Sequence, residues 1–145
     1  MRLLAIDPGE KHIGVAVSDP TGLVARPLTT LKHASRAQDA ARIVALAAEQ
    51  EAEGILIGLA LNSEGEIGPP ARHAERLAEA LRLLTALPIL LHDESNSSRD
   101  AETLMREAGK KRRARKDAGR VHAVAAAAIL QSYLDAHPRE TTPGQ

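Results

Sequence analysis

Three residues far apart in the chain have the chemistry of a hydrolytic metal site: Asp7, Glu94 and His122. Asp7 closes the apolar run RLLAID, Glu94 closes PILLHDE, and His122 opens the small-residue stretch RVHAVAAAAILQ. Two carboxylates and an imidazole, in a chain without cysteine, are donors that suit Mg²⁺ or Mn²⁺, with water and phosphate oxygens completing the shell. An ion so held hydrolyses phosphodiester bonds by generating and aiming a hydroxide, and a second ion roughly 3.5–4 Å away stabilises the leaving oxygen. Each residue also has an ordinary reading. Asp before Pro-Gly is turn chemistry, Asp93 and Glu94 with the following SNSS could cap a helix, and His122 between Val121 and Val124 could be a packed helical residue. Only in combination do the three residues point to a metal site.

The elements that would gather these residues follow from periodicity. RLLAID (2–7) and HIGVAVS (12–18) read as strands joined by a PGEK hairpin turn, and VARPLTTL (24–31) as a third strand with an edge-type proline. Ser35 is placed to cap a helix over 36–52, with Ala37, Ala40, Ala41, Val44 and Ala48 as its apolar positions. GILIGLA (54–60) is a continuous apolar run suited to a buried parallel strand. Ala71, Ala74, Leu77, Ala78, Leu81 and Leu84 mark a second helix, PILLHDE (88–94) a fifth strand, 98–108 a third helix, and 119–135 a last helix facing the core through Val121, Val124, Ala125, Ala128 and Ile129. Hairpins first and helical crossovers later give an α/β fold: a mixed five-stranded sheet with helices on both faces, in the ribonuclease H-like order. The ends of parallel strands gather on one edge, where Asp7 and Glu94 can meet, and a last helix packed across that edge brings His122.

Composition bounds the rest. At 145 residues the chain fits one domain, over residues 1–136, with a disordered C-terminal tail over 137–145. Two nucleotide-enclosing lobes would not fit, which argues against an actin-like ATP-binding protein despite the DPGEKHIGVAV hairpin. With no Phe or Trp and only Tyr133, base stacking on those rings is scarce. No apolar run approaches the ~18 residues of a membrane span and there is no signal-peptide pattern, so a cytoplasmic protein without membrane contact is expected. The formal net charge of zero hides an asymmetry. Residues 106–120 hold eight basic residues against Glu107 and Asp117, a net of +6, so the remainder totals −6. Lys110, Lys111, Arg112, Arg113, Arg115 and Lys116 could be a solvated run, but beside a metal centre they suit the phosphates flanking a scissile bond. Asn62 could bond substrate or simply start a turn.

DPGEKHIGVAVSD with GLVARPL, IGLALNSEGEIGP, HDESNSS and RVHAVAAAAILQSYLD together span nearly all of residues 2–135. In this order they resemble the YqgF family, also called RuvX. The resemblance implies a ribonuclease H-like nuclease that matures the 5′ end of pre-16S ribosomal RNA, with resolution of branched DNA as the competing activity and a non-catalytic nucleic-acid binder as a third reading. It implies acidic ligands at Asp7 and Glu94. The family's third acidic position falls on His122, a departure that keeps a ligand or general base while altering metal preference, with Asp117 as a substitute and Asp93 as a neighbour. His12 stands where the family often has Arg, Ala60 where it usually has Pro, and Ser95 where Arg commonly follows the Asp-Glu pair. Expected partners are structured RNA or branched DNA, bound by a monomer or a homodimer; two symmetric cuts favour the dimer.

Overall fold

The computed structural model describes residues 1–9, 11–59, 68–93 and 118–137. The elements run β1 (Leu3–Pro8), β2 (His12–Ser18), β3 (Ala25–Lys32), α1 (Arg36–Glu49), β4 (Gly54–Leu59), α2 (Pro69–Leu84), β5 (Ile89–Asp93) and α3 (Ala118–Ala136). They form one five-stranded sheet of order β3-β2-β1-β4-β5. β1, β2 and β3 pair antiparallel, while β1 with β4 and β4 with β5 pair parallel. This is the ribonuclease H-like arrangement expected from the element order. The helix expected over 98–108 lies outside the described residues, as do 138–145.

The hairpin that opens the sheet is closed by glycine for a steric reason. Gly9 N–H donates to the His12 carbonyl at 3.0 Å, and a Cβ on Gly9 would lie 2.5 Å from that oxygen. β3 is an edge strand, and Pro27 sits where Val15 and Ala16 of β2 face Thr29 and Pro27, leaving Leu28 as the extra residue of a bulge. A proline without an N–H is tolerated at such a place.

Strand alternation sends Leu4, Ile6, Ile13, Val15, Val17, Ile55 and Ile57 to one face, where they pack with Ala40, Ile43 and Ala47 of α1 and Ala74, Leu77, Ala78 and Leu81 of α2. Leu3, Ala5, Ala16 and Leu56 go to the other face, against Ala126, Ile129 and Leu130 of α3. Gln131 ties α3 to the sheet edge, its Oε1 accepting from Ala25 N–H at 2.9 Å and its Nε2 donating to the Leu23 carbonyl at 3.1 Å.

Two helix faces differ from expectation. In α1 the buried residues are Asp39, Ala40, Ile43 and Ala47, while Ala37, Ala41 and Ala48 are exposed. Among the described side chains of α3 they are Ala123, Ala126, Ile129 and Leu130, with Val121, Val124, Ala125 and Ala128 only partly buried. Alanine is small and common on both sides of these helices, so its spacing does not define a face. In α2, where leucines alternate with charges, Ala71, Ala74, Leu77, Ala78 and Leu81 are buried as expected, and Leu84 at the end is 52% exposed. Ser35 caps α1 as expected, its hydroxyl accepting from Gln38 N–H.

Candidate active site

Asp7 shares its face of β1 with Leu3 and Ala5, the face that α3 covers, and pairs across strands with Gly14 of β2. Gly14 is where α3 touches the sheet. A Cβ there would lie 1.9 Å from the His122 carbonyl oxygen and 3.1 Å from Ala123 N, so the first described turns of α3 rest directly on the strand beside Asp7. The structure thus brings His122 to the edge that holds Asp7. A glycine inside an apolar strand is a sequence signal for close backbone approach, and it marks this contact.

The electrostatics of the two groups suit a reactive centre. Burial pushes the Asp7 carboxyl up from 3.8 to about 6, and among the described residues no hydrogen bond or counter-charge offsets it. A carboxylate ionised at pH 7 without a described partner could hold a cation. Burial, then the neighbouring His12, lowers the His122 imidazole below its ordinary value, so His122 is neutral at pH 7 and its ring can ligate a metal or accept a proton. The His12 ring stacks on it with centroids 4.9 Å apart.

The parallel strands deliver further groups to the same edge. Gly58 of β4 faces His92 of β5, and Leu59 faces Asp93. His92 lies on the α3 side, its Nε2 3.5 Å from Ser132 Oγ and its ring edge-on to Tyr133, whose other neighbour is the stacked ring of His137. Burial chiefly, with a contribution from His137, lowers the His92 pKa. Asp93, exposed at the end of β5, is turned by alternation to the opposite side. His92 and the His12–His122 contact leave no signal in the sequence, because a side chain does not reveal a partner that lies on another element. Glu94, Asn62, Asp117 and the basic run Lys110, Lys111, Arg112, Arg113, Arg115 and Lys116 lie outside the described residues. Among the described residues no three His, Asp or Glu side chains converge into a metal cluster, and no helix is long and apolar enough to cross a membrane.

A family model described as RuvX, Holliday junction resolvase, matches residues 1–136. The chain belongs to the RuvX family. A relative from Anaeromyxobacter sp. (strain Fw109-5), whose name makes it a candidate pre-16S rRNA nuclease, is 43% identical over 135 residues, covering 93% of this chain and 97% of its own. Another of the same name, from Roseiflexus sp. (strain RS-1), is 38% identical over 134 residues, covering 92% of this chain and 94% of its own. Two resolvase structures share the fold of this family member. T. thermophilus RuvC in complex with a Holliday junction substrate superposes with a TM-score of 0.59 at 18% identity, covering 95% of this chain and 97% of that one. The fowlpox virus resolvase with Holliday junction DNA gives 0.60 at 8% identity, covering 96% and 100%.

Proposed function

We propose that the chain is a metal-dependent endonuclease that hydrolyses phosphodiester bonds in the 5′-end maturation of pre-16S rRNA. The observation that carries this reading is the partly buried Asp7 carboxyl on the α3 face, raised by burial alone and set beside the strand on which His122 rests. The nuclease names of close relatives support the RNA substrate. A carboxylate without a described counter-charge, on the strand beside the one on which the His122 backbone rests, fits Mg²⁺ or Mn²⁺, with Asp7, Glu94 and His122 as the residues that would hold it. When bound, the ion supplies Lewis acidity at the phosphoryl group.

The protein's own groups do the remainder. Asp7 places a negative charge on a strand hydrogen-bonded on both sides, a support more rigid than a loop. His122, neutral at pH 7, offers a nitrogen lone pair either as ligand or as acceptor for the proton of attacking water. The basic residues from Lys110 to Lys116 hold flanking phosphates and set position rather than sequence preference.

Resolution of branched DNA is the second reading, favoured by the description of the family model itself. One experiment separates them: a structured RNA carrying the 16S 5′ leader and a four-way DNA junction are offered side by side with Mg²⁺, Mn²⁺ or EDTA, to the wild type and to Asp7→Asn. Metal-dependent RNA cuts lost in the variant are expected. Preference for the junction, with a dimer by light scattering, would replace RNA maturation with resolution. Binding without cleavage of either substrate would make the protein a non-catalytic nucleic-acid binder.

A further inference from the structure

We propose that His12 is a positioning residue for His122, its ring holding the His122 imidazole in one orientation at the Asp7 edge of the sheet. The inference rests on the reading of His122 as part of the hydrolytic centre. The two rings lie with centroids 4.9 Å apart and planes 23° from parallel, a stacked arrangement. Both backbones that carry them are fixed independently of the rings. His12 begins β2, its carbonyl accepts the Gly9 N–H at 3.0 Å, and it pairs with Lys32 of β3, while His33 N–H bonds the Lys11 carbonyl at 2.9 Å. His122 is fixed from the other side, its own carbonyl seated where a Gly14 Cβ would be.

With both anchors set, the remaining freedom of His122 is in its side-chain torsions, and the imidazole torsion is intrinsically broad and two-fold. A flat ring laid against one face removes much of that freedom. Among the described residues His12 supplies the one aromatic ring in contact with His122. His12 is itself exposed and belongs to neither core cluster, so its ring is not needed to hold the sheet together. A side chain that spends its contact on a site residue and not on the core is what positioning requires.

The test compares His12→Ala, which removes the stack, with His12→Phe, which keeps a ring without nitrogens. Cleavage of the structured RNA is followed at saturating and limiting substrate, and the order of the His122 ring is read from ¹³C relaxation at its Cε1–H. The Ala variant is expected to lose kcat by roughly tenfold to a hundredfold with KM within about twofold, the range expected when a reacting group is slightly misplaced. Its His122 ring should become mobile, and the Phe variant should restore both rate and order, at an unchanged melting temperature. A raised KM at constant kcat would overturn the proposal by making His12 a substrate contact, as would a Phe variant as slow as the Ala variant or a His122 ring equally ordered in all three proteins. Should the wild type cleave neither RNA nor DNA, the nuclease reading fails by itself. Ring order then still decides: mobility gained in Ala and absent in Phe supports the positioning role, and its absence in both overturns it.

Discussion

Asp7 and Asp39 are both carboxylates withdrawn from water, one on the α3 face of the sheet and the other at the start of α1, and their surroundings treat them oppositely. Burial acts on both first. At Asp39 it is outweighed: the Ala34 N–H donates at 3.0 Å, His33 pairs with one oxygen, and Arg42 Nη2 lies 2.7 Å from the other, so the carboxyl is held below its ordinary range. At Asp7 no described group answers the burial, and the carboxyl rises to about 6. Sheet packing repeats the contrast. The strands' α1/α2 face is filled by isoleucine, leucine and valine, whereas their α3 face sets Ala5, Gly14 and Ala16 among Leu3, Leu56 and Leu90 and also carries Asp7 and His92. A carboxylate with its partners in place reads as scaffold; one raised by burial beside a close backbone approach is a candidate for a site.

The largest expected break in this comparison is Asp7→Asn, which should reduce cleavage by about a thousandfold or more, as removal of a central catalytic group does. The same change should stabilise the metal-free protein. Folding raises the Asp7 pKa above 3.8, so the folded state binds more protons between pH 3.8 and about 6, and its stability falls as pH rises through that window. In EDTA at pH 8 the variant should therefore be more stable by at most about 3 kcal/mol, with the difference closing near pH 4. Denaturant melts at both pH values check this, and a variant less stable than wild type at pH 8 would remove the argument for an unanswered charge.

Asp39→Ala is the converse. It should cost about 1–3 kcal/mol through the lost hydrogen bonds from the Ala34 N–H and Arg42, while kcat per folded molecule stays unchanged. Because the folded pKa is lowered, the wild-type advantage is present above pH 3.8 and disappears as pH falls through the folded value. Urea melts at pH 7 and pH 3 would show the opposite trend to Asp7.

Gly14→Ala joins the two regions. The new methyl collides with the His122 carbonyl, so α3 must lift, at a cost of about 1–3 kcal/mol. Activity should fall as well, although glycine carries no reactive group. By contrast, Ile57→Ala on the other face should cost about 2–5 kcal/mol and leave kcat intact. Equal kcat in both variants would separate the α3 contact from catalysis. The smallest effect is expected from neutralising Lys111, Arg112 and Arg113, which should lower the slope of log affinity against log salt for single-stranded RNA by about 2. An unchanged slope in filter-binding titrations would make that run a solvated loop.

Much of the fold is written in local pattern. The apolar runs, the turn glycines and the Ser35 cap place every described strand to within one or two residues, because hydrogen-bonding period and turn sterics act over a few positions. Asp7 at a strand end is legible for the same reason. The docking side of α3 is not, since an alanine-rich helix offers little contrast around its axis, and the choice fell to Gly14 on a strand more than 100 positions away. His12 and His122 illustrate the division most clearly. As sequence they are two separate departures from a family pattern; as structure they are one stacked pair.

The sequence by itself determined the order of the described elements, the parallel edge on which strand ends gather, and the residue types a hydrolytic site would use. Only the tertiary structure decided which of those groups share an environment. Hydrogen-bond periodicity is a property of neighbours along the chain, whereas desolvation, backbone approach and ring stacking depend on atoms brought together from distant segments.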